Sequence, residues 1–508
     1  MEGTGMKTEK IVVNTASNVF FNNNVDYCVG TGRIGLALTE EYLKELKYVQ
    51  DMIGFSFIRG HGLFSDDVAI YHEYEENGKT KVEYNYTYVD RIFDRFIELG
   101  IRPYIELGFM PQQLASGTQT IFYWKGNTTP PKAYKKWTDM VVALLKHLKG
   151  RYGEEVVDWP IEVWNEPNLP GFWYKADMEE YFKLFKESFK AIKAYDARFK
   201  VGGPAICGVR DAEWIHGFLD FCKKEGIKPD MITRHHYTIS FPERIGHYDY
   251  SKLEDSKMRF ENLQSTRDII DSYKEYKGLP IHLTEFSTSY TPRGVIHDTN
   301  LNAAYLARQL AGLGDMNEAY SYWTFGDVFE EQGVQSSLFH GGFGLVAAGN
   351  IPKPTFWTFY FFKQLKLFGS KCVYRDDNAV IVKSDKGYAG VLWNIDGDDR
   401  VKEISLDLKP AKTKEKEYTL ITKTVDETCC NPLKLWHDLG EPAYPNKEET
   451  ELIKNAAQPL VESDVVKASA KTRISVPVRK NGVVYFTLTK RDFTPDRGYD
   501  YDKVISFH

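Results

Sequence analysis

Residues 88–107, YVDRIFDRFIELGIRPYIEL, contain the unit that decides the fold. Apolar residues recur at three- and four-residue spacing up to Leu99, which predicts an amphipathic helix with one buried face. Gly100 suits the C-terminal cap of that helix, and the apolar run at 101–107 predicts a buried strand. A helix that leads through a glycine into a buried strand is typical of a parallel sheet with helical crossovers.

The same alternation extends outward, from about residue 26 to residue 327. Seven helical stretches separate eight strand candidates, at 27–30, 56–60, 101–107, 160–165, 200–205, 231–237, 281–286 and 319–325. This pattern predicts an α/β fold, a closed (β/α)8 TIM barrel. The alternative is a doubly wound open sheet. GTGRIG at 30–35 matches its phosphate loop, but no apolar strand of normal length precedes this string.

A second pattern begins after about residue 350. The stretch 351–369 predicts the last barrel helix. Short alternating runs follow, separated by turn residues, at 379–383, 388–393, 403–408, 416–422 and 484–489. Such runs predict a small β-sandwich. We therefore predict an N-terminal segment 1–13 whose strand joins the sandwich, a catalytic barrel at 14–350, and a segment 351–508 with the last helix, the sandwich and a C-terminal extension.

Bulk properties narrow the class of protein. The net charge is −6 and there is no basic stripe, so we expect no nucleic-acid partner. No apolar run reaches the roughly 18 residues of a membrane span, and MEGTGMKTEKIVVN at the N-terminus has no apolar signal core. The six cysteines lack CxxC spacing. These features predict a reduced, cytoplasmic protein without a membrane partner.

Carboxylates at two predicted strand ends carry the functional hypothesis. Active sites of such barrels lie at the C-terminal ends of the strands, where Glu166 follows strand four and Glu285 ends strand seven. Strands four and seven face each other across the barrel. Two opposed carboxylates are what glycoside hydrolysis needs, one to protonate the leaving oxygen and one to attack the anomeric carbon. The alternative is that one of them belongs to a buried ion pair.

Two other chemistries compete for the same residues. His61, His235 and His236 could form a metal cluster with the two glutamates, but no HExxH spacing supports this. A serine nucleophile lacks its GxSxG elbow. We therefore expect neither a metal nor an organic cofactor.

At this point the chain resembles a known family. WNEPN at 164–168 and TEFS at 284–287 look like the signatures of the clan of retaining (β/α)8 glycosidases. More specifically, the chain resembles glycoside hydrolase family 39 and, within it, the bacterial β-xylosidases. The matching segments cover most of the chain, namely 59–71, 88–111, 163–173, 232–238, 323–333, 341–359 and 455–461.

The resemblance implies roles for the residues at the strand ends. Glu166 would be the acid/base, with its pKa raised by burial and by the charge of Glu285. Glu285 would be the nucleophile, with the two carboxyl groups roughly 5–5.5 Å apart. Asn165 would hydrogen-bond the sugar 2-hydroxyl. The further predicted substrate ligands are His61, Phe109, His235, Tyr237, Trp323 and Glu330.

Two of these assignments involve a choice between neighbours. His235 shares strand parity with Tyr237, so both face one way, whereas His236 faces the other. His236 also departs from the family, which has a small residue there. Glu330 and Glu331 are adjacent in one loop, and either could accept hydrogen bonds from sugar hydroxyls; we choose Glu330.

The activity implied is retaining exo-hydrolysis that releases terminal β-D-xylosyl residues from xylo-oligosaccharides or other small glycosides. The family suggests a homo-oligomer, a tetramer. Alternative specificities are α-L-iduronidase-like, β-glucosidase and arabinosidase. A non-catalytic carbohydrate-binding barrel would have lost one of the two glutamates, and both are present.

Overall fold

The computed structural model describes residues 6–395, 397–406, 408, 417–469, 472–491 and 498–506. Eight parallel strands close into a barrel in chain order, and the eighth pairs with the first. The prediction of a (β/α)8 barrel is confirmed, and the open-sheet alternative is wrong. The strands, numbered one to eight in chain order, are Cys28–Arg33, Phe57–His61, Arg102–Leu107, Ile161–Val163, Val201–Ile206, Met231–Tyr237, Ile281–Ser287 and Ala319–Tyr322.

Eight α-helices surround the barrel. The helix Thr87–Glu98 buries one apolar stripe (Val89, Ile92, Phe93 and Phe96) and ends before Gly100, whose φ of 76° is left-handed. This is the conformation that glycine adopts without steric cost. The helices are Glu40–Met52, Thr87–Glu98, Tyr134–Tyr152, Met178–Tyr195, Asp211–Glu225, Ser256–Ser272, Asn300–Leu313 and Pro354–Phe368.

Short elements decorate the barrel. The 3-10 turns are Ile34–Leu38, Glu154–Asp158, Tyr174–Ala176 and Val295–Asp298. The hairpins are Tyr71–Glu76 with Lys79–Tyr84, Thr120–Ile121 with Gly126–Asn127, Glu243–Ile245 with Tyr248–Tyr250, and Val346–Ala347 with Ile351–Pro352. Three of these hairpins follow strands two, three and six, and so lie on the side of the barrel where the strands end.

Two sheets form the sandwich. The larger has the order Lys371–Asp376, Ala379–Lys383, Gly387–Asn394, Gly482–Lys490, Glu417–Val425 and Leu460–Lys467. The smaller joins Lys7–Val13, Arg400–Leu406 and Thr472–Val478, with the N-terminal strand parallel to its neighbour. Residues 1–5, 407 and 416 of the sequence-predicted segments lie outside the described residues. Three helices accompany the sandwich: Pro432–Asp438, Lys447–Ala456 and Tyr501–Ser506.

The sandwich packs against the last two helices of the barrel, Asn300–Leu313 and Pro354–Phe368. Phe361 stacks on Tyr485 with ring centroids 5.6 Å apart, and the indole of Trp357 donates to the carbonyl of Ala457. Apolar side chains of both modules form one continuous core. Within the described residues, no helix combines the length and the apolar character needed to cross a membrane.

A separate apolar cluster lies under the loop after strand eight, which we call the strand-eight loop (residues 323–350). Phe339 and Ala347 of this loop pack with Trp436 and Ile453, which belong to the helices Pro432–Asp438 and Lys447–Ala456. Those two helices therefore support a loop at the mouth of the barrel.

Candidate active site

The end of strand four presents Glu166 on a tight turn. Trp164 and Glu166 have φ values of 75° and 43°, in the left-handed region that costs an ordinary side chain about 1–3 kcal/mol. The turn is held because Glu166 donates its backbone N–H to the carbonyl of Ala205 at 2.8 Å, and Trp164 donates its indole N–H to Phe172. Two strained residues of this turn thus bring Glu166 into the barrel mouth.

Glu285 lies opposite and is hydrogen-bonded through both oxygens. Arg59 donates to Oε1 at 2.8 Å, and the hydroxyl of Tyr237 donates to Oε2 at 2.6 Å. Because donors are directed at both oxygens, the carboxyl group of Glu285 is held in a fixed orientation.

The spacing between these two glutamates, which we call the catalytic pair, is short. One carboxylate oxygen of Glu166, one of Glu285 and a ring nitrogen of His235 all lie within 4.8 Å of one another. Carboxyl groups about 5–5.5 Å apart allow direct attack on a sugar, whereas about 6.5–9.5 Å leaves room for a water molecule. The spacing favours a nucleophile and an acid/base that act on the same anomeric centre.

Arg59 is the central cation of the site. Its guanidinium contacts four side chains: Glu162 at 2.6 Å, Glu285 and Asn165 at 2.8 Å, and Glu106 at 3.0 Å. It also lies 5.8 Å from the ring centre of Trp323. Arg59 is fully buried. It therefore links strands two, three, four and seven and fixes the orientation of both Asn165 and Glu285.

His61 and Glu106 form a second buried pair, with 2.7 Å between Nδ1 and a carboxylate oxygen. Burial lowers the pKa of His61 to about 4 and raises that of Glu106 to about 8. The histidine is therefore neutral near pH 7. Its Nε2 lies 3.5 Å from Glu285 and 3.9 Å from Glu331.

The acidity of Glu166 is shifted toward neutrality. Burial raises its pKa to about 7, and the carboxylates of Glu106 and Glu162 add to the shift, while His61 and Arg59 oppose it. Burial is thus the largest cause of the raised pKa of Glu166, with Glu106 and Glu162 among the neighbouring acids that add to it. Glu166 also shares a 2.8 Å hydrogen bond with Nδ1 of His235, whose own pKa burial lowers to about 4.

The structure brings most of the sequence-predicted ligands to one cavity of about 450 Å³. The catalytic pair is among its lining residues, together with His61, Asn165, His235, Tyr237 and Trp323. His236 also reaches the cavity, and burial lowers its pKa to about 3. These polar side chains lie in a cavity that also has aromatic walls, among them Trp323 and Phe172.

Two predicted ligands are placed elsewhere. Phe109 is fully buried and packs among aromatic rings, 5.4 Å from Trp164 and 5.9 Å from His61, so it supports the wall from behind. Glu330 turns outward and forms a 2.6 Å ion pair with Arg33. Its neighbour Glu331 lines the cavity instead. The structure therefore favours Glu331 over the predicted Glu330 as a ligand, because the ion pair with Arg33 holds Glu330 away from the cavity.

The strand-eight loop that carries Glu331 is anchored by a buried lysine. Lys353 lies 2.6 Å from Asp298 and 2.7 Å from Asp327, and donates to the carbonyl of Gly342. Buried groups of opposite charge hold their geometry because removal of one leaves the others uncompensated. The anchor fixes the loop relative to the segment after strand seven.

Sequence reasoning missed Arg59 as a site residue and named Glu331 only as the alternative to Glu330. Arg59 had a signal: it shares strand parity with His61 and follows an apolar run. The only sequence signal for Glu331 was its position in the loop after strand eight. Both are revealed by contacts between segments far apart in the sequence.

A metal fits the donor set poorly. Glu166, His235 and Glu285 could converge on a cation, but both oxygens of Glu285 are already engaged, one of them by the guanidinium of Arg59. A divalent cation would meet that positive charge at short range.

Two opposed glutamates at this spacing, at the carboxyl ends of strands four and seven of a closed parallel barrel, define a retaining glycoside hydrolase. The chain belongs to the family described as "Glycosyl hydrolases family 39", whose model matches residues 9–473.

Two relatives and one solved structure show this similarity over nearly the whole chain. A "Beta-xylosidase" of Geobacillus stearothermophilus is 45% identical, over 98% of this chain and 99% of its own. Another "Beta-xylosidase", of Caldicellulosiruptor saccharolyticus, is 34% identical, over 91% and 92%. The crystal structure of a monomeric β-xylosidase from Caulobacter crescentus CB15 superposes with a TM-score of 0.87 at 31% identity, covering 96% of this chain and all of that one.

Replacing Tyr237 by phenylalanine removes one of the donors to Glu285. A hydrogen bond to a charged group contributes about 1.5–3 kcal/mol, so we expect kcat/KM for an aryl glycoside to fall about 10- to 150-fold. Tyr250→Phe, on the hairpin after strand six, is the matched control and keeps wild-type activity. Equal activity of Tyr237→Phe and wild type would contradict a role for this hydroxyl at Glu285.

Proposed function

We propose that this enzyme is a β-xylosidase that releases terminal β-D-xylose from xylo-oligosaccharides and small xylosides, with Glu285 as nucleophile and Glu166 as acid/base. The observation that carries the roles is the short spacing of the catalytic pair, together with their different surroundings. Glu285 is bound by Arg59 and Tyr237, whereas burial raises the pKa of Glu166.

In the first step, a carboxylate oxygen of Glu285 bonds to the anomeric carbon as the glycosidic C–O bond breaks. Glu166 transfers its proton to the departing oxygen, so the aglycone leaves as a neutral alcohol. The product is a glycosyl ester on Glu285, with inverted configuration at the anomeric carbon. Glu166 is left as a carboxylate.

In the second step, Glu166 accepts a proton from a water molecule whose oxygen bonds to the anomeric carbon. The ester bond to Glu285 breaks, and the sugar leaves with its original configuration. Both carboxyl groups return to their starting protonation states. No atom or electron beyond substrate and water is required.

The remaining pocket residues bind the sugar. Because Arg59 donates to Oδ1 of Asn165, the amide Nδ2 is left to donate a hydrogen bond to the sugar 2-hydroxyl. His61, His235 and Glu331 provide further hydrogen-bonding groups, and Trp323 forms an aromatic wall. Burial and the neighbouring catalytic carboxylates raise the pKa of Glu331 well above its usual range, so it can donate as well as accept.

The choice of xylose is supported by the two relatives named as β-xylosidases, which match over 99% and 92% of their own lengths. An α-L-iduronidase-like enzyme needs cationic groups to bind the sugar carboxylate. In the described part of the chain, Arg59 is the only arginine or lysine in contact with the catalytic pair, and four side chains already engage it.

A comparison of aryl β-D-xyloside, β-D-glucoside and α-L-iduronide tests the substrate. We expect kcat/KM to be highest for the xyloside. Faster hydrolysis of either other glycoside would overturn the choice of xylose while leaving the roles of the catalytic pair intact.

The pH dependence follows from Glu166. The acid form is the active one, and with a pKa of about 7 half of the molecules carry the proton at pH 7. At the ordinary value of 4.5, about one in 300 would. We therefore expect kcat/KM to fall tenfold per pH unit above about pH 7, and this alkaline limb to vanish in Glu166→Ala. If kcat/KM of the variant still falls above about pH 7, the titrating group is a residue other than Glu166.

We also propose that the protein is a homo-oligomer, a tetramer, in contrast to the similar β-xylosidase of Caulobacter crescentus that is described as monomeric. The strand Leu460–Lys467 is an outer edge of the larger sheet and exposes Leu460, Val461 and Val465. Exposed apolar edges are templates for pairing with another chain. Light scattering should give a mass that is a multiple of 58.5 kDa, reduced to the monomer by Val461→Lys. A wild-type monomer would contradict this proposal.

A reducing compartment, the cytoplasm, is proposed as the site of action. All six cysteines are described and all are free thiols, five of them buried. Structural disulfides are the usual device of secreted proteins, and this chain uses none.

A further inference from the structure

The cavity at the barrel mouth does not end at the catalytic pair. It continues on the side of Glu166, past Cys207 and Val209 on the loop after strand five. It then reaches a recess beside strand six that is lined by Asp211, Arg234, Arg259 and Asn262. We call this the arginine recess. Its position matters because Glu166 protonates the departing group, so the aglycone lies on this side.

Arg234 forms the inner wall of the arginine recess. It precedes His235 on strand six, and the two side chains point in opposite directions, His235 toward Glu166 and Arg234 toward Asp211. The guanidinium is 3.2 Å from the carboxylate of Asp211 and donates to the hydroxyl of Thr266. The residue is only 2% exposed. Its charge is therefore held in place with a single acidic partner.

Arg259 forms the outer wall, from the first turn of the helix Ser256–Ser272. Its Nη2 pairs with Glu254. Its Nε is buried and has no hydrogen-bond partner among the residues that the structure describes. A buried donor without a partner costs roughly 1–3 kcal/mol, so this edge of the guanidinium is suited to an acceptor supplied by a ligand.

The residues that line the recess carry two guanidinium groups against one carboxylate, that of Asp211, while Glu254 is not among the lining residues. Each arginine has one carboxylate partner, Asp211 or Glu254. Burial lowers the pKa of both guanidiniums, and the charge of Arg259 lowers that of Arg234 further. The helix Asp211–Glu225 also begins here, with its N-terminal N–H groups and the positive end of its dipole.

We propose that the arginine recess is an aglycone subsite for a carboxylate, so that the enzyme favours xylosides whose leaving group carries an acidic substituent of the uronic-acid type. This inference rests on the proposed function, because it takes the aglycone of a xyloside as the ligand. A carboxylate fits the planar fork of Arg259, with one oxygen on Nε and the other on a terminal nitrogen.

The loop after strand five, which forms the wall between Glu166 and the arginine recess, is held in place because Asn168 donates to the carbonyls of Val209 and Cys207.

Matched aglycones of equal shape test this subsite. We would compare 4-carboxyphenyl with 4-carbamoylphenyl β-D-xyloside, and the longer 4-(carboxymethyl)phenyl with 4-(carbamoylmethyl)phenyl pair. The measured quantity is the ratio of kcat/KM, acid over amide, within each enzyme, so that a general loss of activity cancels. For the wild type we expect a ratio of about ten in at least one pair, which is the contribution of one charge-assisted hydrogen bond.

Three variants complete the experiment. Arg259→Gln should bring the ratio to about one, and Arg259→Lys should restore part of it. Arg244→Gln removes a similar charge from the hairpin after strand six, outside the cavity, and should keep the wild-type ratio.

The outcomes separate the two proposals. A wild-type ratio near one in both pairs, or a ratio that survives Arg259→Gln, would overturn the carboxylate subsite and leave the β-xylosidase intact. If the wild type hydrolyses none of the four xylosides but does hydrolyse an aryl β-glucoside, the proposed substrate is wrong, and the subsite proposal fails with it.

Discussion

Replacing Glu285 by alanine should lower kcat/KM for an aryl β-xyloside by on the order of 10⁴-fold or more, because no other group can form the glycosyl ester. The variant should instead accept azide as an external nucleophile. Azide would occupy the space of the missing carboxylate and displace the aglycone once, so the product expected is the α-xylosyl azide. Chromatography with an authentic α-azide standard identifies it.

A structural effect must be separated from this chemical one. Loss of Glu285 leaves Arg59 with fewer partners in the buried network, so thermal unfolding should be recorded beside the kinetics. Glu179→Ala, an exposed glutamate on a barrel helix, is the matched control and keeps full activity. Formation of the β-azide by Glu285→Ala would mean that a second carboxylate, and not Glu285, is the nucleophile.

Replacing Glu166 by alanine should have an effect that depends on the leaving group. An alkyl xyloside or xylobiose needs protonation of the departing oxygen, and its kcat/KM should fall about 10²- to 10⁴-fold. Nitrophenolate departs from a nitrophenyl xyloside without that proton, so kcat/KM for this substrate should fall much less. Its glycosyl ester then lacks a base, so a burst of nitrophenol should precede a slow steady state.

Azide also reports on this variant, with the opposite stereochemistry. It attacks the glycosyl ester on Glu285 and should give the β-xylosyl azide, with recovery of turnover. Glu166→Gln, which keeps the shape of the side chain, should show the same dependence on the leaving group but less recovery with azide, because the amide fills the space that azide needs. A uniform loss of activity for all leaving groups, without rescue, would remove Glu166 from the role of acid/base.

The catalytic pair could be predicted because two simple rules coincide at these residues. The ends of barrel strands locate the mouth, and apolar runs in the sequence locate those ends. Strand four is shorter than predicted, Ile161–Val163, because the chain turns into left-handed conformations at Trp164. That turn is set by packing against strand five, which no local pattern reveals.

The network around the pair was harder to predict. The partners of Arg59 come from three other strands, so its role depends on tertiary register. The choice between Glu330 and Glu331 depended on one ion pair with Arg33. In the sandwich, Thr472–Val478 alternates buried and exposed residues along its whole length, yet it is not among the predicted runs. Two residues next to it, 470 and 471, lie outside the described chain.

The apolar cluster beneath the strand-eight loop connects the helices that accompany the sandwich to one side of the barrel mouth. Trp436 and Ile453 are a floor on which the segment bearing Glu331 rests. Substitution of Trp436 or Ile453 would loosen one wall of the sugar pocket, while Glu166 and Glu285 would keep their positions. We therefore expect that substitutions in those helices can change which sugars bind, without any change at the reacting atoms.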